Sequence, residues 1–140
     1  MRPIFVAPLC AGLLMVTACG GEKHVNVTGV LLEGGKPFSP KDSEELTVQF
    51  LATKPDVKIQ NALADFAGAT GTFTLHSPIH DGIPPGEYKI VVSCITTDEH
   101  ARDRFRDAFT EAKTPLLYTV TDDRSQEIVI DLKLKTVKKK

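Results

Sequence analysis

The sequence has no tryptophan, only two tyrosines and only three cysteines in 140 residues, and its formal net charge is −1. This near balance of charge excludes a strongly basic nucleic-acid-binding protein. The shortage of tryptophan and tyrosine argues against a sugar-binding site, which normally presents exposed aromatic rings. The enzyme motifs Gly-x-Ser-x-Gly, His-Glu-x-x-His and Cys-x-x-Cys are absent, as is a phosphate-binding glycine loop. These absences predict a protein that is not an enzyme and that carries no cofactor.

The first 18 residues are typical of a secretory signal peptide. Arg2 is followed by an apolar run over residues 4–16, which is too short for a helix that spans a membrane. The run ends in Val16-Thr17-Ala18-Cys19, which resembles the lipobox of bacterial lipoproteins. The likeness lies in the aliphatic residue three before the cysteine and the small residue just before it. In that family the cysteine is acylated and becomes the first residue of the mature chain.

The resemblance implies that residues 1–18 are removed and that Cys19 carries the lipid, with residues 19–24 as a short lipidated spacer. Several acyl chains on one residue would hold a protein on a bilayer almost permanently. The protein is then expected in the cell envelope, anchored to a bacterial membrane with its domain outside the cytoplasm. The alternative is an ordinary signal peptide that is cut nearby.

The three cysteines predict no disulfide. Cys10 lies within the signal peptide, and Leu9 before it is too large for the small-residue position of a lipobox. With Cys19 acylated, Cys94 is the one remaining thiol. It falls on the inner face of a predicted strand, where a lone cysteine is more often a small core residue than a reactive group.

The rest of the chain has the composition of one globular domain, which is predicted to fill residues 25–137 and to end in a basic tail at 138–140. Seven short stretches with strand-like residues and turn signals at their ends predict an all-β fold. One helix is predicted over residues 98–112, because Phe105, Phe109 and several alanines recur at helical spacing. The expected fold is an antiparallel, Ig-like β-sandwich of about seven strands with this short helix inserted. The expected strands are 25–32, 46–53, a weak one within 54–67, 72–75, 87–95, 116–120 and 126–135.

The stretch Pro84–Glu87 predicts a type II turn, in which Gly86 takes the positive φ of the third position. A strand follows in which every second residue from Tyr88 to Cys94 is predicted to face the core. Gly86 and Tyr88 are therefore assigned structural roles, the first in the turn and the second as a core anchor.

Four local patterns resemble one family, the carboxypeptidase-regulatory-like and transthyretin-like sandwiches of exported bacterial proteins, especially small lipoproteins of the planctomycete type. The patterns occur in the same order as in that family and together span residues 27–134. The resemblance implies an accessory domain without catalysis. The patterns are Val27-Thr28-Gly29-Val30 with the following Gly35-Lys36-Pro37, Gly71–Leu75, Ile83–Val92 and Thr114–Val120.

At two places the sequence differs from the family, and these differences limit which of the family's properties are expected for this chain. Relatives often have an aspartate-rich turn before the position of Gly71, whereas this chain has Ala69-Thr70, so cation binding at that turn is not inferred. The hydrolase branch of the transthyretin-like fold ends in Tyr-Arg-Gly-Ser, whereas this chain ends in Thr136-Val137-Lys138-Lys139-Lys140. None of the hydrolase chemistry is therefore inferred.

Two clusters of residues have a functional interpretation and a simpler one. His76, His80 and Asp81 on one loop are candidate ligands for zinc or another divalent ion, although a solvated polar loop is the commoner arrangement. The five lysines between Lys133 and Lys140 are candidates for contact with anionic lipid headgroups, and the alternative is a frayed, solubilising terminus.

Together these patterns predict a non-enzymatic cell-envelope lipoprotein whose β-sandwich is a structural or protein-interaction module. Its expected partners are the membrane, through the lipid, and an unidentified envelope protein or glycan, with no nucleic acid. The alternative is a module that binds a carbohydrate or a cation through loops at one end of the sandwich.

Overall fold

The computed structural model describes residues 21–54, 61–67 and 70–140. Over these ranges the chain is all-β, as predicted, and contains no helix. No segment of this described part is a helix long and apolar enough to cross a membrane. The strands are β1 Asn26–Glu33, β2 Lys36–Pro37, β3 Glu44–Ala52, β4 Asn61–Phe66, β5 Thr72–His76, β6 Gly86–Thr96, β7 Leu117–Val120, β8 Ser125–Asp131 and β9 Thr136–Lys139.

The nine strands form one mixed sheet that curls into a nearly closed, barrel-like shape. The strand order is β7-β6-β3-β4-β5-β1-β8-β9, and β2 pairs with the end of β1. The prediction of seven strands in a purely antiparallel fold is wrong, because β1 runs parallel to β8 from Asn26 and Ser125 to Leu32 and Asp131. Alternation along one strand predicts its buried face but says nothing about the direction of its neighbour.

The core is filled from the inner faces of these strands. Tyr88, Ile90, Val92 and Cys94 are all buried on β6, which confirms the predicted alternation. Gly29 in β1 leaves room for the core, because a Cβ there would lie 2.6 Å from Cζ of Phe73. The interior is therefore packed too closely at this point of β1 for any side chain.

The gap between the end strands is closed by side chains. β7 and β9 lie side by side without pairing. The hydroxyl of Tyr118 on β7 donates to Oε1 of the buried Gln126 on β8, at 2.8 Å. The other end of Gln126 donates to the carbonyl of Thr121 at 2.9 Å. A buried amide with its polar atoms paired thus joins β8 to β7 and to the residue that follows β7.

Residues 98–112 do not form the predicted helix. The segment makes successive tight turns, and Arg106 and Asp107 have φ of 52° and 61°, outside the right-handed helical range. Its backbone forms hydrogen bonds with the part of the β6 edge that the shorter β7 does not pair with. Val92 N donates to Phe109 O at 3.2 Å, and Arg104 N donates to Cys94 O at 2.8 Å. Pairing this edge requires an extended and turning backbone, so the helical spacing of the apolar residues is overridden.

The last predicted strand, 126–135, is too long: it covers β8 and the turn after it, and a further strand, β9, begins only at Thr136. β8 ends at Asp131, and a turn with Lys135 at φ 53° leads into β9. The Asp131 carboxylate accepts hydrogen bonds from the backbone N–H groups of Lys133 and Leu134, each at 3.0 Å. This Asx-type turn ends the strand although the alternation of apolar residues continues through Leu134. Lys138 and Lys139 consequently lie in a strand rather than in a frayed tail.

The predicted type II turn is also wrong. Gly86 has a φ of 154°, far from the value near +80° that the third position of such a turn requires, and it is already the first residue of β6. Its partner across the sheet is Val120. The chain therefore changes direction at Pro84 and Pro85, and Gly86 begins the strand.

The weak third strand is realised only as β4. Residues 55–60, with Val57 and Ile59, lie outside the described residues. Leu63 is 54% exposed, whereas Ala62 is buried. In β4 the small alanines Ala62 and Ala64 therefore fill the crowded inner side, and Leu63 faces outward.

Candidate functional site

The first described residues of the chain are fixed to the domain almost at once. Nζ of Lys23 lies 2.6 Å from a carboxylate oxygen of Asp122. Val25 and Ile83 exchange two backbone hydrogen bonds, of 2.8 and 3.0 Å. Cys19 and the predicted signal peptide lie outside the described residues. The segment from Lys23 to Val25 is called the tether below, and it enters the domain beside Ile83.

The three candidate metal ligands do not converge. Nδ1 of His76 lies 3.3 Å from Oδ1 of Asp81, and both side chains are well exposed. The His80 ring packs instead against His24 of the tether, with ring centroids 4.4 Å apart. In the described part of the chain, no three histidine, cysteine or acidic side chains come close enough to share a metal ion.

His24 is a member of this cluster that the sequence does not point to. It lies far along the chain from His80, and no motif contains both. Its Nδ1 is 2.9 Å from the carbonyl oxygen of Glu22, so Nδ1 carries the proton and donates. Its Nε2 is buried without a partner among the described residues. The contact between His24 and His80 fastens the tether to the turn Ser77–His80.

A cavity of about 320 Å³ opens on the outer side of the sheet where β3, β4 and β5 meet this turn. Two amides, an imidazole and apolar groups line it. The hydroxyl of Ser77, which also lines it, donates to the carbonyl of His80 at 2.8 Å and is thus engaged within its own turn. The lining includes Gln49, Asn61, Leu63, His76 and Pro78.

Beside this cavity, the register of the strands places apolar side chains together on the outer side of β7, β6, β3 and β4. Leu117, Lys89, Leu51 and Asn61 form one cross-strand row. Val91, Gln49, Leu63 and His76 form the next row. These eight residues are called the outer face below. Sequence reasoning missed this face, because each strand contributes only one or two of its residues and only their register assembles them.

Two of the exposed large apolar side chains of the described residues lie on the outer face. Leu117 is 53% exposed and Leu63 is 54% exposed, while Leu51 and Val91 between them are half-buried. Polar side chains flank the rows along the strands. Glu87 and Thr119 pair on one side, and Thr47 and Ser93 pair on the other.

The lysines near the C-terminus separate to opposite ends of the domain. Nζ of Lys139 is 2.7 Å from Asp123, and Nζ of Lys140 is 2.6 Å from Glu127. The hydrogen bond between Lys139 and Asp123 raises the pKa of the lysine and lowers that of the carboxyl group. Lys133 and Lys135 lie at the turn at the other end of β8. The five lysines thus do not form one basic surface.

The two residues of β6 with the clearest sequence assignments are deep in the core. Burial raises the pKa of the Tyr88 hydroxyl to about 12, and this hydroxyl donates to the carbonyl of Pro84 at 2.8 Å. Burial, with a smaller contribution from Glu44, raises the pKa of the Cys94 thiol to about 11. Tyr88 is thus a core anchor, as predicted, and Cys94 is a protonated thiol packed as an apolar residue.

Comparison with known proteins finds no counterpart. No protein family, no curated protein and no solved structure matches the chain. The resemblance to transthyretin-like lipoproteins therefore rests on the sequence motifs given above.

Proposed function

We propose that the chain is a non-enzymatic lipoprotein of the cell envelope. In this proposal, acylated Cys19 holds the barrel-like domain on a bacterial membrane, and the domain is a protein-interaction module. The observation that carries the proposal is the tether. Gly20, Gly21 and Glu22 alone separate Cys19 from Lys23, which is ion-paired to the domain.

The tether would keep one end of the domain close to the bilayer. An extended chain spans at most about 3.5 Å per residue, so the four steps from Cys19 to Lys23 reach roughly 14 Å. The end of the domain that carries Ile83 and Asp122 would lie within this distance of the lipid. Such a module would meet partners at or near the membrane surface.

The experiment compares the wild-type chain with Cys19→Ser in a bacterial host. We expect wild-type protein to incorporate a radiolabelled fatty acid and to sediment with membranes after a carbonate wash. The serine variant should lose the label and appear in the soluble envelope fraction. Cys10→Ser is the matched control and should behave as wild type. Persistent labelling of the Cys19 variant would refute the anchor.

A second set of observations favours an interaction module over an enzyme. The Ser77 hydroxyl is engaged in a turn, the Cys94 thiol is buried, and the imidazole of His76 is paired with the exposed Asp81. The outer face, by contrast, carries four apolar side chains on four adjacent strands, Leu117, Val91, Leu51 and Leu63, with Lys89 and Gln49 between them. Mixed apolar and polar surfaces of this kind are usual at protein interfaces.

A second candidate function is saccharide binding in the cavity at Gln49 and Asn61. Their amides both donate and accept hydrogen bonds, as sugar hydroxyls require, and none of the described residues that line the cavity carries a carboxylate. Calorimetry with glucose and with N-acetylglucosamine tests it, and absence of heat contradicts it. A cation has less support at this place, because His80 packs against His24 rather than facing His76.

We further propose that the barrel-like sheet is a closed form of the transthyretin-like sandwich. Its strands divide into two halves, β7-β6-β3-β4 and β5-β1-β8-β9, whose buried side chains share one core. Ile90 from the first half and Ile128 from the second are both fully buried. A crystal structure tests the proposal, and a strand order that fits no transthyretin-like domain would contradict it.

A further inference from the structure

We infer that the outer face docks an apolar, acid-bearing polypeptide segment of a partner protein. This inference rests on the proposed function, because it assigns a surface and a kind of partner to the interaction module. The segment would set apolar side chains against Leu63 and Leu117 and a carboxylate beside Lys89.

The four apolar side chains of the outer face, which lie on neighbouring strands, are the first support. Leu51 and Val91 are half-buried between the exposed Leu63 and Leu117, so the leucines extend an existing apolar surface and are not isolated. Strands are spaced about 4.8 Å apart, so the face is roughly 14 Å wide from β7 to β4. Single exposed leucines are common, whereas a connected group with a polar border is typical of a docking site.

The cavity beside Leu63 gives the face an anchor point. It is concave and mainly apolar at Leu63 and Pro78, so it can take one side chain of a bound segment. Binding energy at protein interfaces concentrates where such a side chain is fully enclosed. The cavity is therefore the position at which a substitution should affect binding most.

Charge and hydrogen bonding identify the occupant. Lys89 is the one lysine or arginine among the eight residues of the outer face. In the described part of the chain it forms no salt bridge. Its Nζ makes one long hydrogen bond there, of 3.4 Å, to the carbonyl oxygen of Glu111. A carboxylate on the partner would satisfy it. Gln49 and Asn61 can pair with the peptide groups of a polypeptide, but a lipid tail would leave their amides without partners. These groups favour a polypeptide over the bilayer surface.

The test uses the full-length protein, immobilised through a C-terminal tag, and a phage library of random linear peptides. We expect enriched peptides to share an aliphatic or aromatic residue followed closely by an acidic residue. Binding of a synthetic peptide should weaken about tenfold or more in Leu63→Arg and Leu117→Arg. Lys89→Glu should weaken it by a similar factor, and added salt should reduce the effect of that charge reversal.

Leu134→Arg is the matched control. Leu134 is 65% exposed in the turn after β8, away from the outer face, so the same chemical change there should leave binding unaltered. Unchanged thermal midpoints would show that the variants fold. The inference is overturned if no peptide is enriched, if Leu63→Arg binds as wild type does, or if the face binds phosphatidylcholine vesicles and no peptide. Acylation of Cys19 is measured separately, so failure here is distinguishable from failure of the anchor.

Discussion

Tyr88 combines a packing role and a hydrogen-bonding role in one side chain. Its ring is 1% exposed and lies near Phe50, with ring centroids 6.3 Å apart. Its hydroxyl donates to the carbonyl of Pro84, four residues earlier, and so holds the start of β6 against the preceding prolines. The ring and the hydroxyl can be tested separately by substitution.

We expect Tyr88→Ala to reduce the free energy of unfolding by about 3–5 kcal/mol, as for other buried aromatic side chains. Tyr88→Phe keeps the ring and loses only the hydrogen bond to Pro84, so it should cost about 1 kcal/mol. Urea denaturation of both variants measures the difference. Equal losses would show that the hydrogen bond, rather than the ring, carries the stability.

Cys94 should be nearly inert to thiol reagents in the folded protein. Burial raises the pKa of this thiol to about 11, so almost no thiolate is present near neutral pH. We expect iodoacetamide to modify Cys94 at least about tenfold faster after unfolding in guanidinium chloride. Mass spectrometry of the peptide that contains Cys94 measures this ratio, and rapid modification of the native protein would contradict the buried position.

At the scale of elements, Asp131 connects two turns that lie far apart in the sequence. Its carboxylate accepts from the N–H groups of Gly34 and Gly35, at 3.0 and 2.8 Å, and from those of Lys133 and Leu134. Burial alone would raise the pKa of Asp131, but these four donors outweigh it and hold the pKa below its usual value. One carboxylate thus joins the turn between β1 and β2 to the turn between β8 and β9.

We expect Asp131→Asn to lower the free energy of unfolding by about 2 kcal/mol at neutral pH, because the charged acceptor is lost. A carboxyl group with a lowered folded-state pKa stabilises the fold fully above its unfolded pKa, near 3.9. This stabilisation is lost as the pH falls through the folded-state pKa. The difference between wild type and variant should therefore shrink below about pH 4.

Denaturation midpoints near neutral pH and in acid measure this difference. Asp42→Asn is the control, because Asp42 is exposed and has no part in the joined turns. A difference that stays constant with pH would show that Asp131 does not act through its charge.

A strand or turn could be predicted from the sequence where its own residues determine its structure. β1, β3, β5 and β6 lie within two residues of their predicted bounds, because one buried face gives a clear alternation. The segment with Phe105 and Phe109 could not be predicted in this way. Its shape is set by the uncovered edge of β6, which no local pattern describes.

The candidate site was predictable only where its residues are neighbours in the chain. His76 and Asp81 lie on one loop and do come together, whereas the contact of His80 with His24 joins distant segments. The outer face depends on the register between five strands, so Leu63 and Leu117 carry no signal of their own in the sequence.

At the scale of the whole molecule, the tether and the turns joined by Asp131 lie at opposite ends of the sheet. β1 runs from one end to the other over eight residues, or roughly 26 Å. The outer face lies on the side wall, in the half nearer the tether, because Lys89 is close to the start of β6 and His76 adjoins the turn beside His24. A lipid at Cys19 would thus present this face sideways, close to the membrane.

The lipid at Cys19 is the central claim, and the intact mass of the protein purified from bacterial membranes tests it most directly. We expect a mature chain that begins at Cys19, lacks residues 1–18 and carries the added mass of a diacylglyceryl group on its first residue. A chain that retains the signal peptide, or that begins elsewhere with an unmodified N-terminus, would contradict the anchor.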